Sequence, residues 1–242
     1  MKIFLAGTAS QEQIVKENCP KYILESFYYI KDWQKKLIHE TDDFLLDSGA
    51  FTFIQKANGQ INWYNYIENY AEYIKQNKVK NFFELDIDSV VGYQKVIEFR
   101  SLLERLTGER CIPVWHKNRG IDEYKRHCQE YPYVGIGGYV IKELNNRDYA
   151  AFPSMIKYAH ERKTKVHCLG FTATRKLSKY HFDSVDSTTW INGAKFGNIC
   201  ILKNNIIQQV HYNNKRCSNV EELMRYNLSV WVKFQKYAET HL

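Results

Sequence analysis

The sequence has no C-x-x-C pair, no apolar run near membrane-spanning length, and no G-x-G-x-x-G after its first apolar run. Each absence excludes something. A helix that crosses a bilayer needs ~20 consecutive apolar residues. The opening MKIFLAGTASQEQ turns polar too soon for a secretory signal. A soluble, cytoplasmic protein with no membrane partner is therefore expected. The six cysteines, at 19, 111, 128, 168, 200 and 217, are scattered. They read as reduced thiols rather than a disulfide framework. Cys200, His211 and Cys217 are three candidate metal ligands, but their spacing fits no standard zinc pattern, and no metal is expected. The missing dinucleotide fingerprint argues against a doubly wound open sheet, the main alternative architecture. With no internal repeat, low-complexity stretch or linker, residues 1–242 read as a single domain.

Charge and aromatics are what the chain has in plenty. The formal charge is +7, and there are 18 tyrosines and 13 phenylalanines. That balance is compatible with a polyanionic partner and equally with a lysine surplus that serves solubility.

Eight short apolar runs recur: KIFLAG (2–7), YILESFYY (22–29), FLLDSG (44–49), FFELDID (82–88), CIPVWH (111–116), YVGIGG (133–138), KVHCLGF (165–171) and FDSVDST (182–188). Their apolarity is continuous rather than alternating, the pattern of strands buried on both faces of a parallel sheet. Helical segments lie between several of them. Residues 63–78 carry Tyr66, Ile67, Tyr70, Tyr73 and Ile74 on one stripe, and residues 92–108 carry Val96, Ile97, Leu103 and Leu106 before Gly108. Further helices are expected over 121–130, 149–162 and 174–181. Strands alternating with helices imply an α/β fold, an irregular (β/α)8 TIM-type barrel whose first two helices are short or poor. After the eighth run, 196–214 reads as a hairpin turning at KNN, and 219–242 as an amphipathic C-terminal helix.

Active sites of such barrels lie at the C-terminal ends of the strands. Here those ends carry Asp47-Ser48-Gly49, Asp86-Ile87-Asp88, His116, Gly137-Gly138, Gly170-Phe171-Thr172, and Asp183 with Asp186. A single acid at a strand end reads as a turn cap. Acids at three ends are harder to read that way. Converging carboxylates serve a divalent metal, an acid/base pair at a glycosidic bond, or a nucleophile and base for substitution at an anomeric carbon. The glycines would let a flat ligand approach the backbone. Crowded carboxylates should push at least one pKa upward.

Taken in order, DSGAF, ELDID, VGIGG, HCLGF and HFDSVDSTTW resemble the motifs of the tRNA-guanine transglycosylase superfamily, over about residues 2–200. The short chain, PVWH and VDSTTW resemble most the phage and genomic-island relatives that put 7-deazaguanines into DNA. The resemblance implies a pentosyltransferase that exchanges guanine in DNA, or in tRNA, for a free 7-deazaguanine base through a covalent aspartyl-glycosyl intermediate. It implies a cytoplasmic location, that of the host if the chain is phage-encoded. Asp186 aligns with the nucleophile, with Asp183 as the competing alignment. Asp47 aligns with the proton shuttle, Ser48 and Gly49 with the base pocket, and Asp86 with the acid that accepts from the guanine edge. Gly137 and Gly138 align with the loop at the 7-substituent. His116 stands near the family's guanine-reading glutamine, where it reads the base, moves a proton or merely packs. Asp88 and Asp183 are expected to be structural.

The residue chemistry is consistent with those roles. Guanine N1–H and its 2-amino group are donors suited to a carboxylate. A target base must be flipped from a duplex or met single-stranded. Phe51, Tyr139 and Trp190 are placed to stack on it. Lys117, Arg119, Arg175, Lys176 and Lys195 follow the fifth, seventh and eighth runs and are candidate phosphate contacts, each equally readable as solvated surface. The family's zinc motif, Cys-x-Cys-x-x-Cys plus a histidine, is absent from the chain, and the hairpin stands in its place, so no cofactor is expected. The same carboxylates leave a metal-dependent hydrolase barrel as the reading from another class.

Overall fold

A computed structural model describes residues 1–50, 52–53, 61–138, 143–145, 147–211 and 219–242. Eight parallel strands run β1 (Lys2–Ala6), β2 (Tyr22–Ser26), β3 (Asp43–Asp47), β4 (Asn81–Phe82), β5 (Val114–Trp115), β6 (Tyr133–Ile136), β7 (Lys165–Cys168) and β8 (Ser184–Ser187). Their spatial order is β4-β3-β2-β1-β8-β7-β6-β5. The ring closes between β4 and β5 through a parallel bridge from Phe83 to Ile112. There Ile112 N donates to Phe82 O at 2.8 Å and Glu84 N to Ile112 O at 3.0 Å. The fold is an irregular (β/α)8 barrel, and all eight strands fall inside the apolar runs or within one residue of them.

The helices are α1 (Glu12–Asn18), α2 (Leu37–Glu40), α3 (Trp63–Asn77), α4 (Asp88–Val91), α5 (Tyr93–Thr107), α6 (Gly120–Glu130), α7 (Phe152–His160), α8 (Thr174–Tyr180), α9 (Thr189–Lys195) and α10 (Val220–His241). The connection after β2 is mostly 3-10 helix, at Phe27–Tyr29 and Asp32–Lys36, which gives the expected irregular side. On α3, Tyr66, Ile67, Tyr70 and Ile74 are buried as their spacing requires, while Tyr73 is half-buried. On α5 the buried residues are Val96, Phe99, Arg100 and Leu103, with Ile97 and Leu106 only half-buried.

After the barrel, β9 (Asn198–Lys203) and β10 (Ile206–His211) pair antiparallel. Asn204 and Asn205 both have positive φ, +50° and +59°. A two-residue loop of that kind matches the strand twist, which is why asparagine suits it. Helix α10 fastens hairpin and barrel. Its Asn227 accepts from Cys200 N at 2.7 Å, and its Gln235 donates to Ile3 O at 2.7 Å and Tyr22 O at 2.9 Å. Among the described residues no helix is long and apolar enough to cross a membrane.

Side chains alternate across each strand. Phe4, Ala6, Tyr22, Leu24, Leu45, Phe83, Ile112 and Val114 fill the barrel interior. The larger core lies between the strands' outer faces and the helices. That outer layer holds two buried acids that sequence reasoning gave no role, Glu25 and Glu84. Glu25 accepts from Thr8 N at 3.1 Å and from the Thr8 hydroxyl. Burial pushes its carboxyl up to about 7, against the pull of those bonds.

The folded state thus holds the Glu25 proton more tightly than the unfolded chain, whose glutamate titrates near ~4.3. The stabilisation is complete below the unfolded value and is lost as pH rises to about 7. A shift of this size is worth about 3–4 kcal/mol. Glu25→Gln should therefore melt several degrees above wild type at pH 8 and show no such advantage near pH 4.5. Thermal melts at the two pH values check it.

Candidate active site

Asp47, Asp86 and Asp186 stand together at the C-terminal end of the barrel. Asp47 is the last residue of β3, and Asp186 lies two residues past the start of β8. Alternation turns both into the barrel mouth. Burial pushes the Asp47 carboxyl up to about 7, and the charges of Asp86 and Asp186 add to the effect, while the backbone N–H groups of Gly49 and Ser48 oppose it. One Asp47 oxygen also accepts from Gly49 N at 3.1 Å. The turn cap and the site acid are the same residue.

Asp186 is held by one oxygen. Its Oδ1 accepts from Gly170 N at 2.6 Å and lies 3.2 Å from His167 Nε2. Asp183 immediately precedes β8 at its other end, about 10 Å away at ~3.3 Å per residue. Its Oδ2 accepts from Val166 N at 2.7 Å and pairs with His160 Nε2 at 2.9 Å. Asp183 therefore ties strand starts together and does not face the mouth.

His116 lies between two carboxylates, with Nε2 3.2 Å from Asp86 Oδ2 and Nδ1 3.0 Å from Glu143 Oε2. Burial opposes its protonation, but the hydrogen bond and charge of Asp86, aided by Glu143, raise its pKa above the ordinary value. With both ring nitrogens taken, His116 orients Asp86 and is not free to read a base. Glu143 also accepts from Asn118 N at 3.0 Å. No signal in the sequence marked it, because it acts through loop geometry.

The glycines have a tighter explanation than ligand approach. A Cβ at Gly137 would lie 2.6 Å from His116 Cε1, and one at Gly138 2.7 Å from Glu143 Oε2. At Gly49 it would meet Ser26 Oγ at 2.5 Å, and φ is +68°. Protein atoms lie where a side chain at each of the three would go. Ser48 is buried, and its hydroxyl accepts from Ala50 N at 3.4 Å, so it shapes the turn rather than the mouth.

Two further expectations need correction. Trp190 is fully buried, and its indole donates to Ala6 O at 2.9 Å, so it packs the core and cannot stack on a ligand. Arg119 is not a phosphate contact. It pairs with Glu84 at 2.9 Å and Asp88 at 3.1 Å, and its side chain is 1% exposed. Asp88 is thereby structural, as expected.

The other cations are not drawn into the core, and Lys195 is the last residue of α9. Lys117 pairs with Asp148 at 2.8 Å, Lys176 lies over the Tyr149 ring, and Arg175 and Lys195 are exposed. A cleft of about 390 Å³ opens between α9, the hairpin and α10, lined by Thr172, Thr189, Asn192, Phe196, Gln209 and Trp231 among others and by none of the three carboxylates. Phe196 is 75% exposed at its edge. Phe51 and Tyr139 lie outside the described residues, as does Cys217. Cys200 is buried and His211 exposed. Among the described residues, no three His, Cys, Asp or Glu side chains are arranged to hold a metal.

No protein-family model matches the chain, and no curated protein matches it. A solved structure described as "QR15, an Aldolase" superposes with a TM-score of 0.50 at 11% identity, covering 78% of this chain and 89% of that one. The likeness is one of fold.

Proposed function

We propose that the protein is an enzyme, a nucleic-acid guanine transglycosylase that exchanges guanine in DNA for a 7-deazaguanine. The observation that carries this reading is the convergence of Asp47, Asp86 and Asp186 at the barrel mouth, with Asp47 poised near neutrality. The free oxygen of Asp186 attacks C1′ of the target nucleotide. The C1′–N9 bond breaks, its electron pair leaves on guanine, and Asp47 supplies a proton to the departing base. The incoming base then gives a proton back to Asp47 and attacks C1′, which releases Asp186. Carboxylates are competent nucleophiles at oxocarbenium-like centres. Asp86, steadied by His116, offers its other oxygen to the N1–H and 2-amino donors of guanine.

A strongly acidic mouth repels phosphates, so the backbone must be held at the rim. Arg175 and Lys176, in the first turn of the helix after β7, are placed for that, whereas Lys195 closes α9 at its far end; the neutral cleft with Phe196 suits a stacked base. DNA is preferred to tRNA because PVWH and VDSTTW resemble most the relatives that act on DNA. An aldolase-type Schiff base is disfavoured. The barrel strands carry lysine only at Lys2 and Lys165, the first residues of β1 and β7, at the end away from the carboxylates.

Nucleoside mass spectrometry of DNA and tRNA from cells with and without the protein tests the reading. Labelled guanine incorporated into neither polymer would sink it. The acid/base role makes a separate prediction. Asp47 must be protonated to discharge guanine and ionised to accept the next proton. Adduct formation should slow as pH rises through about 7, and adduct discharge should speed up over the same range. The apparent value belongs to the carboxylate cluster. Rapid-quench measurement of the two half-reactions at pH 6 and 8 checks this, and parallel profiles would remove Asp47 from the role.

A further inference from the structure

A chain of hydrogen bonds runs up the barrel interior beneath Asp186. Tyr133 Oη lies 2.5 Å from Ser184 Oγ, Ser184 Oγ lies 2.7 Å from His167 Nδ1, and His167 Nε2 lies 3.2 Å from Asp186 Oδ1. His167 is fully buried and Ser184 is 1% exposed. The imidazole is wedged between the rings of Phe4 and Phe83, with centroids at 5.9 and 5.3 Å.

With a neutral imidazole, the chain has two self-consistent directions. In one, Tyr133 donates to Ser184, Ser184 to Nδ1, and Nε2–H to Asp186. The reverse makes Asp186 the donor and leaves the Tyr133 proton pointing away. Among the described residues the Tyr133 hydroxyl has no hydrogen-bond partner other than Ser184. Tyr133 is half-buried, and turning its proton away gives up this one bond, worth about 0.5–1.5 kcal/mol. Burial also holds the phenol in its protonated form. The first direction therefore prevails, and it matches a carboxylate that must stay ionised.

We propose that His167 is a positioning residue, locked as the Nε2–H tautomer by Ser184 and Tyr133. Together with Gly170 N it ties down Oδ1 of Asp186 and leaves Oδ2 as the attacking atom. The kinetic consequence rests on the transglycosylase reading, but the hydrogen-bond geometry does not.

Two measurements on the full-length protein separate these. In a 15N-histidine spectrum, assigned by difference with His167→Gln, the Nε2 of His167 should resonate as a protonated nitrogen and Nδ1 as an unprotonated one. Ser184→Ala, which removes the donor to Nδ1, should disturb that pattern. An Nδ1–H tautomer or a doubly protonated ring overturns the proposal. In the second measurement, His167→Phe keeps the ring volume but loses the donor. It should lower the rate of covalent adduct formation about 10²-fold with KM for DNA unchanged. His167→Gln, which can still donate to Asp186, should recover much of that loss. If both variants form adduct at the wild-type rate, the positioning role fails. If wild type itself forms no adduct, the transglycosylase reading fails, and the tautomer spectrum still decides whether His167 holds Asp186.

Discussion

Asp186→Asn is expected to abolish adduct formation, lowering base exchange by about 10⁴-fold or more, the usual order for loss of a covalent nucleophile. The substitution keeps the side chain's size. An amide can still accept from Gly170 N and His167 through its oxygen, so the fold should survive; circular dichroism and melting temperature check that. The informative partner is Asp183→Asn, three residues earlier and just before β8. Sequence alignment favours Asp186 but keeps Asp183 as a competitor, since both sit in an F/V-D-S context. Geometry separates them. Asp183 accepts from Val166 N and His160 at the strand starts, so its loss should lower stability by about 1 kcal/mol and leave the chemistry near the wild-type rate. Denaturing gel electrophoresis of the protein with a DNA substrate reads both variants. A surviving adduct in Asp186→Asn, or a lost one in folded Asp183→Asn, would reverse the assignment.

What was legible in the sequence follows from what local pattern encodes. Continuous apolar runs located every strand because barrel strands are buried on both faces. Acids interrupting those runs marked Asp47, Asp86 and Asp186 because a charge at a buried strand end needs a reason. The pattern did not encode which way a loop side chain turns. Arg119 follows a strand at the catalytic face, yet it folds back to Glu84 because that acid projects outward from the barrel. Gly137 and Gly138 were read for a ligand, although His116 and Glu143 occupy the space beside them. His167 was visible inside KVHCLGF, where a histidine breaks an apolar run. Its role depends on Ser184 and Tyr133, brought beside it by sheet register, Gly135↔His167 and His167↔Ser184, and no single segment carries that.

The outward-facing Glu84 gives the largest expected effect on stability. Its Oε2 accepts from Arg100 Nε at 2.6 Å, while its Oε1 accepts from Arg119 Nη1 at 2.9 Å and Val114 N at 2.8 Å. Glu84 is fully buried, and the two arginines are nearly so. Burial alone would raise its pKa, but the two guanidinium charges outweigh burial and hold it below the ordinary glutamate range. Glu84→Ala leaves two guanidinium groups in the core with one carboxylate, Asp88, which pairs with Arg119 and not with Arg100. Removing one partner of a buried ion network costs about 3–5 kcal/mol. For a chain of this length that is a fall of about 6–20 °C in melting temperature. Arg119→Met should cost less, because Arg100 still neutralises Glu84, although Asp88 loses its pair. It should also leave the salt dependence of DNA binding unchanged, since a cation turned inward releases no counterion from phosphate. Arg175→Ala, at the rim, should reduce that salt slope by about one ion. Binding isotherms at several salt concentrations distinguish the two arginines. A reduced slope in Arg119→Met would mean that the side chain leaves its buried pocket to meet the nucleic acid.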